Sequence, residues 1–165
     1  MITPKRLAVT GMTAAIYAVL TIVLPMWSYG ELQCRFSEAL NLLIFINPVF
    51  APGIIIGCFI SNLFSPIGIP DWIFGTGATA LSALFIIRYS KNLFIASLWP
   101  VLFNGLIVGA EILFFFSDPP ISLVKYLFFA GTVMIGEALA VTVIGYIIFS
   151  QIMRNEKLVS ILKNI

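Results

Sequence analysis

Residues 93–116, LFIASLWPVLFNGLIVGAEILFFF, form one unbroken apolar run that carries a single amide, Asn104, and a single carboxylate, Glu111. At 1.5 Å per residue such a run, read as a helix, crosses a bilayer core of about 30 Å. A carboxylate at the middle of a bilayer costs roughly 2.5–3.5 kcal/mol on insertion scales, so it faces a protein interior or a polar cavity. The pattern recurs outward from this stretch: Glu38 and Glu137 also sit in or at the end of long apolar runs. The chain has 165 residues, 61% hydrophobic and 10% charged, with a mean hydropathy of +1.09. A soluble domain carries about 25% charge. These values predict an all-α integral membrane protein, one membrane domain over 1–165, with a polar pocket lined by carboxylates.

Six spans are predicted, at approximately 7–24, 37–47, 52–64, 72–88, 93–116 and 123–149. The basic start, Met1 to Arg6, resembles that of a signal peptide, but the apolar run continues to Leu24 without a small-residue cleavage site and reads as the first membrane helix. The second and third runs are short, and are open to two readings: two spans, or one re-entrant hairpin. The turns Ser65 to Asp71 (SPIGIPD) and Asp118-Pro119-Pro120 separate later spans. Gln151 to Ile165 reads as an amphipathic surface helix. With six spans, Lys5, Arg6, Arg88, Lys91, Arg154, Lys157 and Lys163 fall on one side of the membrane, against Arg35 and Lys125 on the other. That split places both termini in the cytoplasm.

The net charge of +2 gives no reason to expect nucleic acid as a partner. There is no histidine, which removes the commonest general base and metal ligand, and Cys34 and Cys58 lack metal-ligand spacing. No metal site is expected. Among the polar residues, Glu111 lies about five residues from the outer end of its helix, roughly 8 Å deep. Asn104, seven residues earlier, shares its face. Both are candidates to bind a ligand or, alternatively, to stitch this helix to a neighbour. Glu137 is deeper, and a buried Asn104–Glu137 contact is the structural alternative to a ligand role. Glu38 follows Ser37, a possible N-cap, and is three residues from Arg35, a possible ion-pair partner. Against that, Glu31, Gln33, Arg35 and Glu38 set alternating polar groups at the outer mouth, as a ligand shell or lid would. Asp71, before Trp72, is open to the same choice between cap and ligand. Trp27 and Trp72 fall where an interfacial belt lies, and Trp72 is the better candidate to stack on a planar ligand; Trp99 reads as packing. On the first helix, the pairs Gly11/Ala15 and Ala14/Ala18 permit close approach of another helix, from this chain or from another subunit.

These stretches together resemble the queuosine-precursor transporters of the QueT type, which are substrate-binding (S) components of energy-coupling factor (ECF) importers. The resemblance rests on Leu32 to Leu40 (LQCRFSEAL), on Ser61-Asn62-Leu63-Phe64-Ser65-Pro66 with Gly68 and Asp71, on Phe74-Gly75-Thr76, on Asn104 to Glu111 (NGLIVGAE) and on Gly136-Glu137. It runs in order along nearly the whole chain; Cys34 stands where an apolar residue such as Phe is expected. The resemblance implies a six-helix S component whose site opens outward under the loop after the first helix. It implies a membrane coupling subunit (EcfT), two cytoplasmic ATPases (EcfA, EcfA′), and docking through the small residues of the first helix, and it implies toppling in the membrane to deliver ligand. The chain has no GxxxxGK[ST] loop, so ATP and magnesium belong to the partner ATPases and no cofactor is expected here. The implied ligand is a 7-deazaguanine: the 7-aminomethyl form, its nitrile analogue or queuine. One carboxylate would take its N1–H and 2-amino pair, a second an aminomethyl cation, with Asn104, Gln33 or Arg35 for O6 and Trp72 for the ring. Asn62 joins the substrate-binding candidates through the matched motif. Alternatives are an S component for another vitamin or nucleobase, a stand-alone ion-coupled transporter using Glu111 and Glu137 as a relay, and a membrane enzyme working with carboxylates alone.

Overall fold

A computed structural model describes residues 3–29 and 33–165, and among these the only regular structure is helical. Helix α1 spans Pro4–Val23; Thr3 caps it, its hydroxyl accepting from the Arg6 N–H at 3.3 Å, and Pro4 occupies the first helical position. One further helical turn, Pro25–Ser28, leads towards α2 (Phe36–Ile46), which is a 3₁₀-helix to Leu40 and α-helical from Asn41. Helix α3 is Pro48–Asn62, α4 Ile69–Tyr89, α5 Leu93–Phe116, α6 Leu123–Arg154 and α7 Glu156–Lys163. Helices α1, α4, α5 and α6 are long and apolar enough to cross a membrane, whereas α2 and α3 are shorter apolar helices. This is the architecture of a helical membrane protein.

Residue Asn47 alone joins α2 to α3, its side-chain oxygen capping α3 through the Val49 N–H at 3.1 Å. Its amide nitrogen donates to the Leu162 carbonyl at 2.9 Å, and Lys5 Nζ donates to the Asn164 carbonyl at 2.8 Å. The connection between α2 and α3 therefore lies at the end of the bundle that holds both termini. Between Glu38 and that end, Leu42, Ile44, Ile54, Ile86, Val141 and Phe149 form a buried apolar plug. A smaller cluster, Ala78, Val108 and Val133, joins α4, α5 and α6.

Three local expectations are corrected. Helix α4 begins at Ile69, after Gly68 with φ +76°, so Asp71 is inside the first turn and is not an N-cap. Ser37 is not an N-cap either, because α2 starts one residue earlier; its hydroxyl instead shares a 2.6 Å hydrogen bond with Thr21. Helix α6 runs on to Arg154, so the amphipathic tail is shortened to α7, capped by Asn155.

The small residues of α1 divide between two faces. Ala14 and Ala18 are 4% and 6% exposed, inside the fold. A Cβ at Gly57 of α3 would lie 2.8 Å from the Ala14 carbonyl and 2.8 Å from Tyr17 Cβ, and one at Gly53 would lie 2.7 Å from the Thr10 carbonyl. Ala14 thus serves the α1–α3 contact and Ala18 is also buried, while Gly11 and Ala15 are exposed on the outer face. Gly57→Leu is expected to wedge α1 from α3 and cost about 1–3 kcal/mol, seen as a lower unfolding temperature in detergent. Gly11→Leu, with open space around its Cα, should leave that temperature unchanged.

Candidate functional site

At the end of the bundle opposite the termini, Arg35 brings three segments together. It donates from Nε to the Ser28 carbonyl (3.2 Å) and from Nη2 to Asp71 Oδ2 (3.0 Å), with both side chains of the ion pair buried. Asn62 Nδ2 donates to the Asp71 carbonyl at 2.9 Å, and the Tyr29 hydroxyl to the Ser61 carbonyl at 2.5 Å. The Arg35 guanidinium carbon is 5.4 Å from the centre of the Tyr29 ring. A Cβ at Gly75 would collide with Asp71 Oδ1 and come within 2.9 Å of Asn62 Nδ2, so glycine there makes room for the network. Burial opposes the charge on Arg35, but its neighbours, the Asp71 carboxylate foremost, outweigh it and raise its pKa. Arg35 is thus held as a cation by Asp71; the expected ion pair with Glu38 is not formed.

Glu38 is fully served by the protein. Its Oε1 accepts from the Tyr17 hydroxyl and from Thr79 Oγ1 (3.2 Å), and its Oε2 from Asn41 Nδ2. Thr79 also contacts Cys58 Sγ at 3.2 Å. This carboxylate joins α1, α2 and α4. Tyr17, Asn41 and Thr79 were not among the expected site residues. On α1 a signal existed, since Thr13, Tyr17 and Thr21 repeat at four-residue spacing and all three are buried.

The remaining polar side chains differ from Glu38 in having atoms without partners. Glu111 Oε1 and Oε2, Glu137 Oε2, Asp71 Oδ1, Asn62 Oδ1, Asn104 Nδ2 and Trp72 Nε1 are buried, and none has a hydrogen-bond partner among the described residues. Each such atom costs about 1–3 kcal/mol when left unpaired, so their concentration here makes this the candidate site. Asn104 and Glu111 are buried on one face of α5, as their spacing predicts. Glu137 closes the α-helical part of α6, and the next eight residues, Ala138–Gly145, are π-helical, a distortion frequent at functional positions. Gln33 is buried with a left-handed φ of +44°. Glu31 lies outside the described residues. Trp27 is 58% exposed and tilts against Phe36, and Trp99 stacks on Phe103 while donating to Ser90 Oγ at 3.2 Å, so both are peripheral to the site.

Comparison with known proteins agrees with this architecture. The chain is 42% identical over 57 residues to a protein of Lactococcus lactis subsp. cremoris (strain MG1363) named queuosine precursor transporter QueT; the match covers 33% of this chain and 34% of that protein. It therefore spans about a third of the relative's length. No solved structure matches the chain. The QueT transporter family profile matches residues 7–154, which is most of the helical bundle. A membrane-embedded helical bundle with a buried polar site and a family match of this extent have one reading: the chain belongs to the QueT transporter family, a family of transporters and not of enzymes.

Proposed function

We propose that this chain is the substrate-binding S component of an ECF importer and captures a 7-deazaguanine queuosine precursor from outside the cell. In this reading it crosses the cytoplasmic membrane of a prokaryote six times, with both termini in the cytoplasm. A membrane coupling subunit and two ATPases complete the importer, binding ATP and magnesium and driving uptake. The distribution of basic residues supports the orientation.

The observation that carries the ligand assignment is the character of the unpaired atoms. Among the described residues there are nine: six acceptors (Glu111 Oε1 and Oε2, Glu137 Oε2, Asp71 Oδ1, Asn62 Oδ1 and Asn41 Oδ1), two donors (Asn104 Nδ2 and Trp72 Nε1), and Ser28 Oγ, which can be either. The one buried cation among the described residues, Arg35, is already committed to Asp71. Such a site selects a guest rich in donors and carrying few acceptors. The Watson–Crick edge of a 7-deazaguanine offers N1–H and a 2-amino group side by side for one carboxylate, and O6 for Asn104. A second carboxylate is then left for a cation at the 7-substituent. Glu111, with both oxygens unpaired, and Glu137 take these roles, while Glu38 holds the fold. Trp72, half-buried with its N–H inside, lies beside the guest.

Calorimetric titration of the purified protein tests this. The 7-aminomethyl compound is expected to bind at least about tenfold tighter than the nitrile, the scale of one charge-assisted hydrogen bond, and tighter than guanine. Equal binding of the nitrile removes the cation-pairing role. Absence of binding by every 7-deazaguanine overturns the ligand assignment.

A further inference from the structure

Glu111 faces more than the interior. On the lateral surface of the bundle, between α4 and α5, lies a groove of about 400 Å³ whose walls are Phe74, Leu106, Ala110, Phe114 and Phe115, and Glu111 is its one charged lining residue. The wall residues Phe74, Leu106, Phe114 and Phe115 are themselves 43%, 39%, 64% and 55% exposed on an apolar surface that, in a membrane protein, meets acyl chains. Phe74 and Phe115 approach each other across the groove, with ring centres 6.2 Å apart and planes tilted by 39°. Glu111 lines the groove with its carboxylate buried behind the walls, the residue 2% exposed and neither oxygen hydrogen-bonded among the described residues. An unpaired carboxylate behind the walls of an apolar, aromatic-lined groove is complementary to a small flat molecule with an amine.

From this geometry we infer that the α4–α5 groove is a lateral entrance through which a small uncharged aromatic amine reaches Glu111 from the lipid phase, with the Phe74 and Phe115 rings as its shutter. This is a statement about access to Glu111 from the membrane and stands on the groove alone; the polar ligand proposed above is captured from the aqueous side. Ring rotation of exposed aromatics is fast, so the shutter slows entry without closing it.

The probe is dicyclohexylcarbodiimide, a lipid-soluble reagent that adds across a carboxyl group without a leaving group. The carboxyl proton passes to one carbodiimide nitrogen, an oxygen bonds to the central carbon, and the adduct rearranges to a stable N-acylurea. Full-length protein in lipid vesicles is labelled, and the modified peptide is identified by mass spectrometry, with Glu111→Gln as the blank. Labelling is expected at Glu111 and not at Glu38 or Glu137. A water-soluble carbodiimide added from either side should label Glu111 far less. Phe115→Ala, which removes half the shutter, should raise the labelling rate about tenfold, and Ala110→Trp, which fills the groove, should lower it by a similar factor. Absence of Glu111 labelling by the lipid-soluble reagent, or equal labelling by the water-soluble one, overturns the entrance. An unchanged labelling rate in Phe115→Ala does so as well, and does not depend on whether Ala110→Trp folds. Labelling as expected without any 7-deazaguanine binding leaves the entrance standing and removes the ligand proposed above.

Discussion

Arg35→Met is expected to be the most destabilising single change at the site, costing about 3–5 kcal/mol of folding stability. The reason is the partner it abandons. Asp71 is fully buried, its Oδ2 is paired with Arg35 at 3.0 Å and its Oδ1 has no partner among the described residues. Removing the guanidinium leaves an uncompensated carboxylate where Asn62 and Gly75 crowd it. It also frees the Ser28 carbonyl that Arg35 Nε serves, so the chain after α1 loses its tie to α4. Thermal unfolding of the purified variant in detergent measures the loss. The double variant Arg35→Met/Asp71→Leu should recover a substantial part of it, because a buried pair replaced by apolar groups is often close to neutral. A single variant as stable as the parent would show that the pair contributes nothing to the fold.

The second large effect is on binding alone. Glu111→Gln keeps size and shape but removes the charge and turns one acceptor into a donor. No hydrogen bond within the described residues depends on this carboxylate, so folding stability should be unchanged or slightly improved. Affinity for the 7-aminomethyl compound should fall about tenfold to a hundredfold, the range for a hydrogen bond to a charged group. Calorimetry and thermal unfolding on the same sample separate the two quantities. Undiminished affinity would take Glu111 out of the binding site.

Much of the architecture was legible in the chain because apolar runs of membrane length are hard to mistake. The runs 93–116 and 123–149 needed no tertiary information, and the shared face of Asn104 and Glu111 followed from helical spacing. What failed were choices among partners. Arg35 is three residues from Glu38 yet pairs with Asp71, 36 positions away, because α2 begins as a 3₁₀-helix whose first turn directs Glu38 to Tyr17, Thr79 and Asn41. Local spacing cannot rank a near candidate against a distant one. The pairs Ala14/Ala18 and Gly11/Ala15 are equivalent as sequence motifs, and only the position of Gly53 and Gly57 on α3 decides which pair is inside. Among the carboxylates, Glu38, Glu111 and Glu137 each had a structural alternative to a ligand role, and nothing in the sequence chose between the two. Their difference is one of supply: donors from α1, α2 and α4 converge on Glu38, and none among the described residues reaches Glu111.

The apolar plug between Glu38 and the termini has an electrical consequence. A dry slab of Leu42, Ile44, Ile54, Ile86 and Val141 is an insulator, and a membrane voltage falls mainly across the insulating part of its path. Moving one free charge through the whole voltage is worth about 2.3 kcal/mol per 100 mV. An ammonium held against the Glu111 carboxylate makes a pair with no net charge, on which that field does no work. Transfer of such a pair past the plug would be electrically silent in that step alone; the charge is felt when the emptied carboxylate returns, so the voltage acts on the reset and not on the loaded passage.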